Sequence, residues 1–115
     1  MKKTKLILIA FFALLAAVAC KKEDVKPAPV ASFTISPNDT IDYGDAFTFT
    51  NTSTDASSYS WNFGDGSTTD AVSPSKTYVV TDFSSAYISF NVTLTATEGD
   101  KSSTVTKAVT LALPL

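Results

Sequence analysis

Two hydrophobic patterns divide the chain. From Leu6 to Ala19 the apolar residues run without a break, whereas from Val30 onward they alternate with polar ones at a period of two. The second pattern, rich in β-branched and aromatic side chains, predicts strands. Ala31, Phe33 and Ile35 alternate with Ser32, Thr34 and Ser36 in a first strand closed by Pro37. Phe47 and Phe49 alternate with threonines after the turn-forming Tyr43-Gly44-Asp45. Tyr59, Trp61 and Phe63 make a third strand, stopped by Gly64-Asp65-Gly66. Ile88, Phe90, Val92, Leu94 and Ala96 give the longest alternation. Glu98-Gly99-Asp100 then turns the chain into a last strand carrying Val105, Val109 and Leu111. No part of this body shows a helical stripe.

Short strands with one apolar face and one face of Ser and Thr fit two antiparallel sheets packed face to face, with a barrel as the alternative. Trp61, in the third strand, occupies the place where immunoglobulin-like sandwiches set a tryptophan at the centre of the core. With one cysteine in the chain no disulfide can stand beside it. Trp61, Phe47, Phe49, Phe63 and Phe90 must supply that stability by burial, at roughly 1.5 to 3 kcal/mol for each large apolar side chain.

The apolar run Leu6–Ala19 is 14 residues long, short of the roughly 20 that a bilayer-spanning helix needs. It follows Met1-Lys2-Lys3-Thr4-Lys5, so residues 1–19 have the form of a secretory signal whose lysines stay on the cytoplasmic side. Ala17-Val18-Ala19-Cys20 resembles the bacterial lipobox, although the family more often has leucine where Ala17 stands. The resemblance implies a diacylglyceryl thioether and an acylated amino terminus on Cys20. More than one chain, at about 0.8 kcal/mol per buried methylene, makes such an anchor stable. Lys21-Lys22-Glu23-Asp24 resembles the lysine-plus-acid signal that sends lipoproteins to the outer face of the outer membrane in one large group of Gram-negative bacteria. Residues 20–29 are then a lipidated, charged tether, stiffened by Pro27 and Pro29, and residues 30–115 are the sandwich.

Charge is unevenly spread. Beyond Pro27 only Lys76, Lys101 and Lys107 oppose nine acids, from Asp39 to Asp100, a net of −6. Such a body repels phosphate backbones, so no nucleic-acid partner is expected. Histidine is absent and the one cysteine is assigned to the lipid. Ser-His, Cys-His and zinc sites therefore cannot be assembled, and acids in turns read as turn formers before they read as a glycosidase pair. No enzyme and no cofactor is expected. Asp39, Asp42 and Asp45 recur in what the pattern makes one loop, where oxygen ligands could hold calcium. Lacking a glycine-punctuated loop or a bidentate Glu at a fixed offset, they read as a solvated acidic turn, and no metal is expected.

Trp61-Asn62-Phe63-Gly64-Asp65-Gly66-Ser67-Thr68-Thr69, followed by Ser73-Pro74-Ser75-Lys76-Thr77-Tyr78, closely resembles the signature of the PKD (polycystic kidney disease) domain family. Pro29–Phe33 looks like that family's opening strand, Phe47–Ser53 like its second and Val92–Thr97 like its penultimate one. The resemblance implies an extracellular immunoglobulin-like sandwich, often a non-catalytic module of adhesins and secreted hydrolases. Lys76 stands where the family usually has a histidine, which removes any contact an imidazole would carry. The segment Val79–Ser89 is longer than the family's loop with its Gly-x-Tyr start, and Tyr87 either replaces that tyrosine or does not. The residues themselves assign structural work: Trp61 and Phe63 share a face, Gly64 and Gly66 permit positive φ, Asp65 accepts bonds from its own turn, and Tyr78 buries its ring beside a partner for its hydroxyl.

Asp39-Thr40-Ile41 looks like the site at which some of these bacteria attach O-linked glycans, with Thr40 the acceptor. Asn38, Asn51 and Asn91 fit the N-glycosylation pattern, which has little meaning in bacteria. Tyr43, Phe83 and Tyr87 lie in the segments least explained by strands and are candidates for a binding face or a small satellite cluster. Two functions remain open. One is a lipid-anchored surface module that binds an extracellular protein or polysaccharide, and the other is a structural spacer or accessory subunit of an envelope complex.

Overall fold

The computed structural model describes residues 26–114, and every regular element among them is a strand. The signal segment 1–19, Cys20 and the Lys21–Asp24 run lie outside the described residues. In chain order the strands are β1 (Phe33–Ser36), β2 (Thr40–Asp42), β3 (Phe47–Asn51), β4 (Ser58–Asn62), β5 (Thr68–Thr69), β6 (Ser75–Lys76), β7 (Tyr87–Glu98) and β8 (Lys101–Ala112). They form a three-stranded sheet, β1-β3-β6, and a five-stranded sheet, β2-β8-β7-β4-β5. Both sheets feed one core, so the architecture is a sandwich and the barrel alternative is excluded.

The long alternation in the sequence becomes the backbone of the larger sheet. β7 and β8 pair antiparallel from Tyr87↔Ala112 to Glu98↔Lys101. At 3.3 Å per residue the hairpin is roughly 36 Å long, and it gives the domain two distinct poles. One is the Gly99-Asp100 turn, and at the other β7 starts and β8 ends. Every strand pair is antiparallel except β2 with β8, which run parallel. Pro37 ends β1, the Asp39 carbonyl accepts the Thr110 N–H at 2.8 Å, and Thr40–Asp42 then joins the other sheet. Asp39, Asp42 and Asp45 are thus not three residues of one loop, since Asp42 belongs to an edge strand. That strand is three residues long with only Ile41 buried, too short to show a period. The two-residue strands β5 and β6 escape the pattern for the same reason.

The inner faces meet through aromatic rings. Phe33 and Phe49 come from the small sheet, Trp61 from the large one, and all three are fully buried. Their centroids lie 5.0 Å (Phe33–Trp61), 5.6 Å (Phe49–Trp61) and 5.9 Å (Phe33–Phe49) apart. Val92, Leu94, Ala96, Val109 and Leu111 complete the floor of the large sheet.

Two polar residues interrupt the inner face of β8, and both have work on the opposite sheet. The register sets Lys107 across from buried Val92 and Ser103 across from buried Ala96. Ser103 Oγ accepts the Ala31 N–H at 3.1 Å. Lys107 Nζ donates to the Phe33 carbonyl at 2.6 Å and sits 5.1 Å from the centre of the Phe33 ring. β1 is an edge strand whose outward N–H and C=O groups would otherwise invite another chain; Lys107 takes the carbonyl at its first residue and Ser103 the N–H just before it.

Two substitutions separate core from seal. Trp61→Ala is expected to cost about 3–5 kcal/mol in urea unfolding. Lys107→Met, which keeps the stem but removes the charged donor, is expected to cost about 1–2 kcal/mol and to increase association at high concentration in light scattering.

Candidate functional site

The signature residues fold into a turn that is tied to the core at both ends. β4 delivers Trp61 inward, and its indole N–H donates to the Ala71 carbonyl at 2.9 Å, fixing the chain beyond β5. Phe63, next inward, donates its N–H to the Ser67 carbonyl at 3.1 Å and closes the turn. Gly64 has φ +81, and a Cβ there would lie 2.5 Å from the backbone oxygen of Asn91 on β7. Gly66 has φ +92 with open space around it. The first glycine is required by both conformation and contact, the second by conformation alone.

Asp65 organises the polar side of this turn. Its Oδ1 accepts the Ser67 N–H at 3.0 Å and the Ser67 hydroxyl, while Oδ2 pairs with Lys76 Nζ at 2.8 Å. Lys76 Nζ also donates to Ser67 Oγ at 2.9 Å and lies 5.4 Å and 5.2 Å from the Phe63 and Tyr78 ring centres. Partial burial would raise the Asp65 pKa, but the hydrogen bonds from Lys76 and Ser67 and the lysine charge outweigh it and hold the carboxyl at about 2. Tyr78 is buried, stacks on Phe90 at 4.2 Å and donates its hydroxyl to the Phe63 carbonyl at 2.7 Å. Burial, and behind it the Asp65 charge, pushes that phenol well above its ordinary range, so it stays a donor. Pro74 is buried and its carbonyl accepts the Phe49 N–H at 2.9 Å. Lys76, in the family's histidine position, therefore supplies an ion pair and two ring contacts in place of an imidazole.

The candidate aromatics gather at the pole where β7 begins. Phe83 packs edge-on against Tyr43, centroids 5.3 Å apart. The Tyr43 hydroxyl donates to the Val80 carbonyl at 3.3 Å and accepts the Val80 N–H at 3.4 Å, and Leu113 N–H donates to the Ala86 carbonyl at 2.7 Å. The segment between β6 and β7 is thereby fastened near both ends. It still presents Val79 at 80 % exposure and Phe83 at 41 %, and Tyr87, at the start of β7, is 63 % exposed. Tyr87 is not a buried tyrosine of the core: it opens β7 opposite Ala112. Tyr43 and Phe83 thus form a small satellite cluster, and Tyr87 is exposed at the same pole. Thr40 is exposed on β2, opposite Thr110, with Oγ1 3.5 Å from Asp39 Oδ1.

The chain arrives at the other pole. Lys26 Nζ pairs with Glu98 at 2.8 Å, Lys101 Nζ donates to the Lys26 carbonyl at 3.0 Å, and Pro29 is buried. Residues 26–29, read from sequence as tether, run against the β7–β8 turn. Among the described residues no three His, Cys, Asp or Glu side chains converge as metal ligands would.

Ser103 and Lys107 were not legible as functional positions. The signal was a polar residue at an inward phase of the last strand, Ser103 two positions before Val105 and Lys107 between Val105 and Val109.

Two facing sheets, a core tryptophan on β4 and a β1-to-β2 switch between sheets define an immunoglobulin-like β-sandwich. The PKD domain family model matches residues 26–113, and the chain belongs to that family. Among solved structures it is similar to the PKD1 domain of Vibrio anguillarum Epp, with 26 % identity and a TM-score of 0.60 over 78 % of this chain and 100 % of that one. It is also similar to the PKD1 domain of the Vibrio cholerae metalloprotease PrtV, at 30 % identity and a TM-score of 0.59 over 75 % and 99 %. A third likeness, 25 % identical with a TM-score of 0.64, covers 77 % of this chain and 36 % of a structure described for the promiscuous specificity of carbohydrate-binding modules of the β-sandwich superfamily. No curated protein matches the chain. Family and fold together are those of a β-sandwich module, of a kind that is typically non-catalytic.

The two glycines should respond differently. Gly66→Ala is expected to cost about 1 kcal/mol, and Gly64→Ala clearly more, about 2–4 kcal/mol, because the β4–β7 contact must open as well. The Asp65 carboxyl gives a pH signature. Its folded pKa lies below the unfolded value of about 3.9, so its contribution is present above that pH and is lost as pH falls from about 4 to about 2. For a pair whose side chains are 22 % and 19 % exposed, about 1–2 kcal/mol is expected after solvent screening. Urea titrations of Asp65→Asn should show that loss at pH 7 and a flatter acid limb than the parent.

Proposed function

We propose that the protein is a lipid-anchored display module. Cys20 fixes it in the outer membrane, Lys21–Asp24 direct it to the cell surface, and the domain offers an aromatic pole to an extracellular protein or polysaccharide. The observation that carries this reading is the separation of the two poles. Lys26 is clasped by Glu98 and Lys101 at the hairpin turn, whereas Tyr43, Phe83, Tyr87 and Val79 stand at the far end of the same hairpin. Six residues from Cys20 to Lys26 reach at most about 20 Å. An anchor at Cys20 therefore keeps the turn near the membrane and points the aromatics away from it.

The chemistry of the poles agrees with recognition. Exposed aromatics with a polar tip bury large area at low entropic cost, and two hydrogen-bonded attachments hold the pole's segment in shape before a ligand arrives. Among the described residues the carboxylate with a strongly displaced pKa, Asp65, is engaged in holding its own turn. Module relatives found in a protease and among carbohydrate-binding modules support an accessory binding role.

Fractionation and retention test this directly. Cys20→Ser is expected to move the full chain from the membrane to the soluble fraction. Cells carrying the parent are expected to be retained on at least one member of a matrix-protein and glycan panel, with a Phe83→Ala/Tyr87→Ala variant weakened at least tenfold. A blank on the whole panel together with co-purification of one fixed membrane complex would favour the spacer or accessory-subunit role instead.

A further inference from the structure

The outward face of the larger sheet has a composition that neither the core nor the turns explain. The register fixes which residues share it. Thr104, Thr95 and Ser60 lie in one row across β8, β7 and β4, and Ser102, Thr97 and Ser58 in the next. Toward the aromatic pole the outward positions of these three strands continue as serine, threonine, asparagine or alanine until Tyr87. One charged residue shares the face, Asp42 at the corner of β2. The other acids of the body lie in turns or, like Glu98, at a strand's last residue, and Lys107 turns inward. A body of net charge −6 thus leaves its widest surface with a single charge, at one corner.

We infer that this hydroxyl face is the contact surface for a neutral polysaccharide, running along β7 and β8 from the rows near the turn to a stacking contact on Tyr87. The inference rests on the reading of the domain as a surface recognition module and names the ligand class. A repeating ligand suits a repeating surface, with hydroxyls about 4.8 Å apart between strands and about 6.7 Å apart along them. Short side chains with one rotor lose little freedom on binding, and threonine is restricted at χ1 before it binds. Part of the array is already ordered, since Thr93 Oγ1 lies 2.8 Å from Thr106 Oγ1 and Ser89 Oγ 2.8 Å from Thr110 Oγ1. Each such hydroxyl keeps a free lone pair for a sugar hydroxyl. Other occupants fit less well. A stable protein interface, or a second copy of this chain, needs an apolar centre that the face lacks. Acidic polymers are opposed by the charge of the body.

Affinity gel electrophoresis of the full chain in detergent, with galactomannan, xyloglucan, mixed-linkage β-glucan and dextran as probes and alginate as the charged control, tests this. The parent is expected to be retarded by at least one neutral polymer and not by alginate. Ser60→Glu/Thr104→Glu is expected to weaken that retardation at least tenfold with an unchanged thermal midpoint, and Tyr87→Ala at least fivefold. Should the double variant unfold, Ser58→Glu/Ser102→Glu in the next row is measured in its place. Phe83→Ala, which lies off the face, is expected to change it less than twofold. Retardation lost in Phe83→Ala but kept in the glutamate variants would overturn the inference and leave pole recognition standing. No retardation of the parent by any neutral polymer would also overturn it, while retention on the matrix-protein panel decides the broader reading separately.

Discussion

Everything in this domain depends on two sheets being held together by a core centred on aromatic rings, without a disulfide. Its one cysteine is Cys20, outside the sandwich, so no covalent link can cross between the sheets. Phe33, Phe49 and Trp61 do that work, with ring centres 5.0 to 5.9 Å apart and no exposure to solvent. Edge-to-face and tilted contacts add roughly 0.5–1.5 kcal/mol each to what burial provides. Other features take their position from this cluster. The Trp61 indole fixes the chain after β5, Tyr78 fills the space beside Phe47 and reaches the turn through the Phe63 carbonyl, and Lys107 rests on Phe33 while it closes the edge of β1.

A second regularity concerns where charge is allowed. Strand interiors of the body carry none on the outside, and turns carry most of it. At the signature turn the charge is used internally, because Asp65, Ser67 and Lys76 satisfy one another and leave Tyr78 a neutral donor. At the hairpin turn it is used to receive the incoming chain, through Glu98 and Lys101. What remains is a sheet face whose one charge is Asp42 at its corner, and an aromatic pole, two surfaces with few local demands of the fold upon them. Surfaces the fold does not need are where recognition can be placed.

The long elements were legible because they obey a period. Phe47 and Phe49, Tyr59 to Phe63 and Ile88 to Ala96 alternate cleanly and lie in or beside the strands they indicate, and the Gly-Asp-Gly triplet marks its turn. The barrel alternative could not be removed from sequence, because alternation says which side of a strand is apolar and not which strands pair. β2 was hidden for another reason. A three-residue strand gives no period, and its pairing depends on β8, far away in sequence. Asp42 therefore looked like part of an acidic loop. The aromatic pole was half legible: Tyr43, Phe83 and Tyr87 stood out as residues without a strand role, but only the fold shows that Tyr43 meets Phe83, that Tyr87 opens β7 at the same pole, and that the chain enters at the opposite end. Lys107 was passed over because a charged residue in a strand normally points outward.

The proposed topology stands the domain on the cell surface with its turn toward the membrane and its aromatics outward. Labelling of intact cells with a membrane-impermeant PEG-maleimide, after Asp82→Cys at the aromatic pole or Asp100→Cys at the hairpin turn, tests it most directly. Under the proposal Cys20 carries its lipid in both and does not react. The expected result is that the residue introduced at position 82 reacts as fully in intact cells as after permeabilisation, and several times faster than the one at position 100. Reaction of neither until the outer membrane is opened, or equal rates at both, would contradict the claim.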